Sequence, residues 1–501
     1  MNPTTIFNMK NYLTLLLCAC ISVVSAQTDT EKAAETVDKN SIEGHIYFLA
    51  DDLLKGRGTG TPENKIAASY LANTLRSYGA KPDPSTGTYY QQMELSRSFL
   101  KEKIMLSING VDFPEIVAFD IAATDVTEEA VYLNYGLEAD FKGKNVKDKI
   151  IIVKAGTPES QEIRPAFGSR AAKIELALKN GAKGLIEVGS FDEATWPMLR
   201  HAFEERVSLS ASEKKPLAMD LWLQTTPAQL EELGKKKLNI RIKTQGIQQE
   251  QIKTQNVIGI LEGTDPKLKE EYVMYSAHYD HVGIGEPDAK GDSIYNGARD
   301  NAIGTTAVLS MAENIGKYPT KRSAVFIFFT GEEKGLLGSK YYVQNPVFPL
   351  NQIVYGFNTD GGGYNDTSLA TVIGLGRTTA QKHIVAGAAA FGLKAIDDPA
   401  PEQGLFDRSD NVSFASVGIP APTYSTGFNA FDDEINKYYH QPGDEADSLD
   451  YDYLLKFYQG YVLSGRLIAN DPEKPFWVKG DKYEPAANVL YGNAPEVPMK
   501  N

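Results

Sequence analysis

The chain has 501 residues, of which 42% are hydrophobic and 23% are charged, a composition typical of globular proteins rather than disordered or fibrous ones. Its formal net charge of −14 makes a nucleic-acid backbone or an anionic lipid surface an unfavourable partner. A chain of this length predicts two or more domains around a sizeable core.

The N-terminal segment 1–26 has the pattern of a secretory signal peptide. A lysine precedes an apolar stretch from Tyr12 to Val24, which ends in small residues before Gln27. The stretch is too short to span a bilayer, and no later run reaches about 18 apolar residues, so no integral membrane span is expected. We therefore expect an exported protein, periplasmic or secreted. Cys20 leaves lipoprotein anchoring as an alternative, although apolar residues continue past it.

Two amphipathic helices are predicted within 27–118, the first part of the main domain. Ser41 can cap the first helix, whose apolar stripe runs from Ile42 to Leu53. A loop rich in Gly and Thr follows, and the second helical pattern stops at Gly79, a suitable residue for a helix end. Both helices are expected to cover a sheet.

The pattern of predicted secondary structure changes within 119–248. Several strand-like runs surround one helical stretch there, and no cluster of acids and histidines with ligand spacing occurs. We interpret this segment as a separate, β-rich inserted domain. The main domain resumes over 249–470, and a tail rich in Pro, Asn, Lys and Glu occupies 471–501.

In the second half of the chain, short apolar runs end at acids or histidines. One run leads into His278, the next into Glu332 and Glu333, and a third into Asp360. Continuous apolar runs suit strands buried on both faces between helical layers, and open α/β sheets bind ligands at the carboxyl ends of such strands. Asp300 precedes a helical pattern and is expected close to a helix N-terminus.

The strand ends predict a metal site. Taken singly, a His at a strand end is an ordinary loop residue, and an Asp before a helix is an ordinary cap. Taken together, several buried acids are costly unless a cation compensates them. Imidazole nitrogen and carboxylate oxygen are ligands that zinc accepts. The sequence has no HExxH helix, no GxSxG elbow and no Walker loop, so three other hydrolase chemistries lack support.

Six motifs follow one another along the second half of the chain: SAHYDHVG, NGARDNAIG, TGEEKGLLGS, NTDGGG, RSDNVSFASVGIP and YYHQPGDEAD. They resemble the ordered motifs of metallopeptidase family 28, the co-catalytic zinc aminopeptidases, which also includes glutamate carboxypeptidase and the transferrin receptor. The insert resembles the protease-associated domain that many members carry. This resemblance implies a three-layer αβα zinc-exopeptidase fold with a mixed, mostly parallel central sheet.

The resemblance also implies a site for two zinc ions, each with one nitrogen and two carboxylate ligands. His278 and Asp360 would hold one zinc, Glu333 and His440 would hold the other, and Asp300 would bridge them. The peptide bond after Asp300 would be cis, as in relatives.

Further residues would support these ligands. Glu332 would be the general base that takes a proton from the attacking water. Asp280 would orient the neighbouring zinc-binding histidine. Tyr439 would donate a hydrogen bond to the developing oxyanion, with plain aromatic packing as its alternative. Arg408 and Asp410 lie in a family loop near the site and are weaker candidates for substrate binding.

Two positions depart from the family pattern. Arg299 stands where the family often has Asp or Val, and Gly361 stands where it often has a bulky apolar residue. Both positions border ligands, so the departures bear on substrate preference and not on metal binding. His281, which follows Asp280, is not expected to be a ligand.

The function predicted from the sequence is that of a zinc exopeptidase acting on peptides, most simply an aminopeptidase. A carboxypeptidase or dipeptidase of the same fold is the first alternative. Metallopeptidase family 20, which contains such enzymes, is set aside, because its extra domain lies between the ligands, whereas here the insert precedes His278. The next alternative is a glutaminyl cyclase, which has this fold and one zinc ion. The last is a receptor-like binding protein, which would have lost some of the metal ligands. All five ligands are present here. The oligomeric state stays open.

Overall fold

A computed structural model describes residues 27–191, 195–209, 217–234 and 237–492. The predicted signal peptide lies outside the described residues. In the part of the chain that is described, no helix is both long and apolar enough to cross a membrane.

Helices and strands are numbered in chain order. The helices are α1 Asp29–Thr36, α2 Lys39–Leu49, α3 Pro62–Ser77, α4 Ile163–Lys179, α5 Thr195–Glu204, α6 Pro227–Leu233, α7 Ile303–Lys317, α8 Leu337–Gln344, α9 Gln381–Ala390, α10 Asn411–Ala415, α11 Asp433–Asn436, α12 Tyr451–Asn470 and α13 Glu484–Leu490. The strands are β1 Tyr90–Leu100, β2 Met105–Ile108, β3 Val111–Asp112, β4 Ile116–Ile121, β5 Thr124–Tyr132, β6 Ile150–Lys154, β7 Gly184–Gly189, β8 Glu205–Ser208, β9 Met219–Gln224, β10 Leu238–Thr244, β11 Ile247–Leu261, β12 Tyr272–His278, β13 Gly283–Ile284, β14 Ile294–Tyr295, β15 Ser323–Phe329, β16 Ile353–Thr359, β17 Leu369–Ile373, β18 Lys394–Ile396 and β19 Thr423–Thr426.

The larger sheet has nine strands in the order β18-β17-β19-β16-β12-β15-β11-β1-β8. Its centre, from β15 through β12 and β16 to β19, is parallel. On one side β11, β1 and β8 pair antiparallel, and on the other β17 pairs antiparallel with β19 and parallel with β18. The sheet is therefore mixed around a parallel centre.

Helical layers cover both faces of this sheet. Successive strand residues point to opposite faces, so the central strands contribute to two cores. Tyr275 of β12 and Phe326 of β15 belong to a core shared with helices α1, α2, α3, α7, α9 and α12. Met274 and Val325 belong to a second core, which includes Tyr342 of α8. This arrangement confirms the predicted three-layer αβα fold.

The two predicted N-terminal helices are present as α2 and α3, but the first has different ends. Asp38, and not Ser41, caps α2, because its carboxylate accepts a hydrogen bond from the Ser41 backbone N–H at 3.1 Å. Leu53 lies beyond the helix and is 80% exposed, so it does not belong to the buried stripe. Helix α3 ends at Ser77, close to the predicted stop at Gly79.

A second sheet of eight strands has the order β3-β2-β10-β5-β6-β7-β9-β4 and its own apolar core. Its strands extend from Met105 to Thr244. Strand β4 spans Ile116–Ile121, so the boundary that the sequence placed at residue 119 falls inside this sheet. Strand β8 leaves the region and pairs with β1 of the larger sheet.

Candidate metal centre

The side chains predicted at strand ends meet at one edge of the larger sheet. Strand β12 ends at His278, and β16 ends directly before Asp360. Strand β15, whose end precedes Glu332, lies on the other side of β12. Because these three strands are parallel neighbours, their carboxyl ends lie side by side.

Two groups of donor atoms meet at Asp300. Its Oδ1 lies 3.2 Å from Nε2 of His278, which also lies 3.2 Å from Oδ1 of Asp360. Its Oδ2 lies 3.2 Å from Nε2 of His440, which also lies 3.2 Å from Oε2 of Glu333. Each group therefore combines one imidazole nitrogen with two carboxylates, and Asp300 belongs to both.

The donor set fits zinc. The side chains of His278 and Asp300 are only 1% and 6% exposed. No lysine or arginine among the described residues forms a salt bridge with Asp300, Glu333 or Asp360, although buried carboxylates need a compensating charge. Zinc in catalytic sites takes three such nitrogen and oxygen ligands and keeps one position open.

The charges of the cluster are strongly coupled. Burial raises the pKa of Asp300, yet contacts with His278 and His440 bring this pKa well below its ordinary value. Burial raises the pKa of Glu332 well above its ordinary value, and the charge of Glu333 raises it further while His278 opposes the shift. Glu332 therefore binds a proton more readily than an ordinary carboxylate does.

A tight turn before α7 presents Asp300. The peptide bond between Asp300 and Asn301 is cis, as the resemblance implied. The side chain of Asn301 donates to the carbonyl of Thr359 at 3.1 Å and accepts from the backbone N–H of Gly304 at 3.0 Å. These two bonds join the start of α7 to the end of β16, where Asp360 follows.

Asp444 holds the same turn from the opposite side. Its carboxylate accepts hydrogen bonds from the backbone N–H groups of Arg299, at 3.0 Å, and Asp300, at 3.2 Å. The guanidinium of Arg299 donates to Asp444 at 3.1 Å and packs over the ring of Tyr438. The Arg299 side chain is therefore paired within the protein, and only 4% of it is exposed.

Asp280 contacts His278 through its main chain. Nδ1 of His278 donates to the Asp280 carbonyl at 3.0 Å, so Nε2 is left to bind a metal ion. The Asp280 carboxylate is 3.8 Å from the same nitrogen. It accepts instead from the hydroxyl of Thr59 at 2.8 Å and the backbone N–H of Glu332 at 3.2 Å. Asp280 therefore joins two loops that carry site residues.

Arg57 is a supporting residue that the sequence analysis did not predict. It is fully buried and donates to the carbonyls of Tyr279 at 2.8 Å, Asn296 at 2.6 Å and Gly297 at 3.0 Å, as well as to that of Leu49. It therefore joins the loop after β12 to the turn that carries Asp300. The only sequence signal is an arginine between glycines in the loop before α3.

A cavity opens beside the donors. His278, Asp300, Glu332, Asp360 and His440 line its inner wall. Four apolar side chains line the rest of it together with several polar residues: Ile373, Leu405, Phe428 and Phe431. The ion cluster therefore faces a space that can hold an apolar group.

The remaining predicted residues divide into two groups. Tyr439 and Arg408 line the cavity, and Nη2 of Arg408 donates to the Tyr439 hydroxyl at 3.2 Å. The ring of Tyr439 stacks on that of His440 at 4.1 Å. Asp410 does not line the cavity. It is fully buried, and burial raises its pKa to about 7 although His278 opposes the shift.

Comparison with known proteins adds to this geometry. Residues 256–462 match peptidase family M28. Aminopeptidase YwaD of Bacillus subtilis is 30% identical over 201 residues, which are 39% of this chain and 40% of that protein. The probable lipoprotein aminopeptidase LpqL of Mycobacterium tuberculosis is 25% identical over 463 residues, 83% of this chain and 81% of that protein.

Solved structures show the same fold. An aminopeptidase from Aneurinibacillus sp. strain AM-1 superposes with a TM-score of 0.62 at 22% identity, over 89% of this chain and 97% of that one. A zinc aminopeptidase from Bacillus subtilis gives a TM-score of 0.55 at 20% identity, over 87% and 97%.

The fold is that of solved zinc aminopeptidases, and the donor atoms at its centre could hold metal ions. The match to peptidase family M28 covers residues 256–462, the part of the chain that contains the whole donor set. The family match begins after the second sheet, so the likeness of that sheet to a protease-associated domain stays a prediction.

Proposed function

We propose that the protein is an exported aminopeptidase that binds two zinc ions and removes N-terminal residues from peptides. The observation that carries this proposal is the pair of donor groups that share Asp300 beside a cavity that Glu332 also lines. His278 and Asp360 would hold one zinc ion, Glu333 and His440 would hold the other, and Asp300 would contact both. The relatives named above, which are aminopeptidases, support the reaction class.

Zinc ions held at these residues would supply Lewis acidity, which lowers the pKa of a water molecule and polarises a carbonyl. Glu332 lines the cavity and takes the proton of the attacking water, which it then passes to the leaving amine. Arg408 donates to the Tyr439 oxygen, so the hydroxyl hydrogen of Tyr439 is free to point toward the substrate. Tyr439 then stabilises the negative charge that develops on the carbonyl oxygen.

The cavity favours a large apolar side chain at the N-terminal position of the substrate. Its apolar lining removes such a side chain from water, and binding pockets of this kind combine apolar walls with a few polar groups that orient the ligand. Glu332, the one acid of the cavity lining that is not an expected zinc ligand, can attract the free α-ammonium group. The negative charge of Glu332 favours an aminopeptidase over a carboxypeptidase, whose substrate would present a carboxylate.

Export is the remaining part of the proposal. It rests on the predicted signal peptide and on the name of one relative, a probable lipoprotein aminopeptidase. Anchoring at Cys20 stays an alternative to release of the mature chain.

The test combines metal analysis with matched substrates. We expect about two zinc ions per purified chain, and loss of activity in a chelator that added zinc restores. Leucyl-peptides should be cleaved, and the same peptides with a blocked N-terminus should not. One zinc ion or none in an active preparation would contradict the two-ion site. Cleavage of N-blocked peptides from their C-terminal end would show a carboxypeptidase, and no turnover of any peptide would favour a binding protein.

A further inference from the structure

His281 lies against the candidate metal centre, although it is not one of the five expected ligands. It is fully buried. Its Nδ1 lies 2.7 Å from Oε1 of Glu333 and 4.0 Å from Oδ2 of Asp300. The His281 ring also stands edge-on to the ring of His440, with 5.4 Å between centroids.

The facing atoms of Glu333 and His281 make no hydrogen bond with other described residues. Within the described ranges, neither ring nitrogen of His281 nor Oε1 of Glu333 has a hydrogen-bond partner, so the 2.7 Å approach of Nδ1 to Oε1 is a close contact and not an aligned hydrogen bond. Buried polar atoms are nearly always paired. The 2.7 Å separation is that of a close ion-pair contact, and a proton on Nδ1 would make it charge-assisted.

The turn before Asp300 makes room for the His281 ring. Gly297 has a positive φ of 61°, and a Cβ atom at this position would lie 2.6 Å from Cγ and Cδ2 of His281. A larger residue is therefore excluded on steric as well as conformational grounds. The position of the ring therefore depends on two loops, the one after β12 and the turn before Asp300.

The two carboxylate oxygens of Glu333 face different partners. Oε1 faces His281, whereas Oε2 lies 3.2 Å from Nε2 of His440, within the donor group that includes Asp300. We propose that His281 is a positioning residue that holds Oε1 of Glu333 and thereby directs Oε2 to the second metal ion. This inference rests on the two-zinc site proposed above.

Asp280 and His281, neighbours in one loop, would then have similar roles. The carbonyl of Asp280 holds the ring of His278 in the first donor group, and His281 holds the carboxylate of Glu333 in the second. Outer partners of this kind orient metal ligands and contribute to affinity. Loss of His281 should therefore lower the affinity for one zinc ion and leave the affinity for the other unchanged.

Two substitutions test the role. Asn places an amide N–H close to the position of the histidine Nδ1, whereas Leu has no donor. We expect His281→Leu to lower the affinity for one of the two zinc ions by about 10- to 100-fold, as loss of a residue that orients a metal ligand does elsewhere. His281→Asn should retain most of the wild-type affinity. The measurement is stepwise zinc binding to the metal-free chains in competition with a chromophoric chelator.

A partly buried histidine provides the control. His45 lies between the hydroxyls of Tyr70 and Tyr78, away from the metal centre, and His45→Asn should leave both zinc affinities unchanged. Thermal unfolding of each metal-free chain shows whether the variants fold. If both His281 variants lose one zinc ion, His281 is itself a ligand, and the positioning role is wrong.

Unchanged zinc binding in both His281 variants would also overturn the inference, because it would reduce the residue to packing. That result leaves the proposed function intact as long as the wild-type chain binds two zinc ions. A wild-type chain that binds fewer than two overturns the proposed function and the role of His281 with it.

Discussion

Glu332 and Glu333 are chemically identical neighbours, yet their surroundings differ. Glu332 lines the cavity, and burial raises its pKa well above the ordinary value. Glu333 faces His440 and His281, and its side chain is 7% exposed. Adjacent residues that leave a strand point in different directions, so only one of the two reaches the second donor group.

Substitution of each glutamate by Gln should separate the two roles. Glu332→Gln keeps shape and hydrogen bonding but removes the base, so we expect bound zinc to stay while turnover falls by about 10²–10⁴-fold. Glu333→Gln should lower both zinc content and activity. The measurement is zinc stoichiometry beside turnover for both variants. If Glu332→Gln loses zinc and Glu333→Gln keeps both ions, the two roles are reversed.

Gly361 lines the cavity directly after Asp360, and it has room for a side chain. A Cβ atom there would lie 3.4 Å from the carbonyl oxygen of Arg299 and 3.4 Å from Oγ1 of Thr426. The neighbouring Gly362 differs, because a Cβ atom there would lie 2.8 Å from the ring of Tyr439. A substitution at Gly361 can therefore fill the cavity without displacing the ring beside His440.

Gly361→Met should shift the preference of the enzyme toward small N-terminal residues. We expect kcat/KM for a leucyl substrate to fall by about tenfold relative to an alanyl substrate, since a mismatch of a few methylene groups in an apolar pocket has effects of this size. Gly44→Met, on the exposed surface of α2 with nothing within 4 Å of its Cβ, is the control. An unchanged ratio of the two substrates would show that the N-terminal side chain binds elsewhere.

At the scale of elements, helices α2 and α3 are joined by a partly buried histidine. Nδ1 of His45 lies 2.7 Å from the hydroxyl of Tyr70, and Nε2 lies 3.2 Å from that of Tyr78. Burial lowers the pKa of His45 to about 4, although the charge of Asp38 opposes the shift. The folded chain therefore keeps this ring neutral at a pH where an exposed histidine, with a pKa of about 6.5, is protonated.

The pKa of His45 predicts a loss of stability in mild acid. Below about pH 6.5 the unfolded chain binds a proton at His45 that the folded chain does not bind until about pH 4. The stabilisation is therefore complete above pH 6.5 and is lost as the pH falls toward 4. We expect His45→Asn to flatten the pH dependence of the free energy of unfolding in this window, by up to about 1.4 kcal/mol per pH unit.

Urea unfolding of the metal-free chains between pH 4.5 and about 7.5 measures this effect without a contribution from zinc release. The difference between wild type and variant at the upper pH serves as the reference. Parallel curves over the whole range would show that His45 does not titrate differently in the folded and unfolded chains.

At the scale of the whole molecule, the second sheet is attached through the β1–β11 pair. Leu100 and Ile247 are Cα partners at the end of this antiparallel pair, and the second sheet lies between them in the sequence. The expected ligands all come from the larger sheet and its loops. The second sheet also has a core of its own, as an independent folding unit requires.

A chain in which a two-residue turn replaces 101–246 should therefore fold and bind zinc. An Asn-Gly turn can join Leu100 to Ile247, because cross-strand partners are close enough for a two-residue hairpin loop. The deletion also removes β8, which exposes the edge of β1, so we expect some loss of stability. Circular dichroism and zinc stoichiometry, compared with the intact chain, measure the result. An unfolded product would show that the larger sheet depends on the second one.

The sequence by itself determined which segments are the central strands and which side chains lie at their ends. Continuous apolar runs identify strands buried on both faces, and the acids and histidines that follow them are visible at once. This is why His278, Glu332, Glu333 and Asp360 could be predicted to lie together, and why the three-layer fold followed. Local signals were weaker at the ends of elements, where Asp38 replaced Ser41 as the cap.

Only the tertiary structure decided which distant groups meet. Arg57 binds carbonyls more than two hundred positions away, β8 returns to the edge of β1, and His281 meets Glu333 across two loops. None of these contacts leaves a pattern in the neighbouring residues. Periodicity reports which face of an element is buried, whereas the partner on that face depends on how all the elements pack.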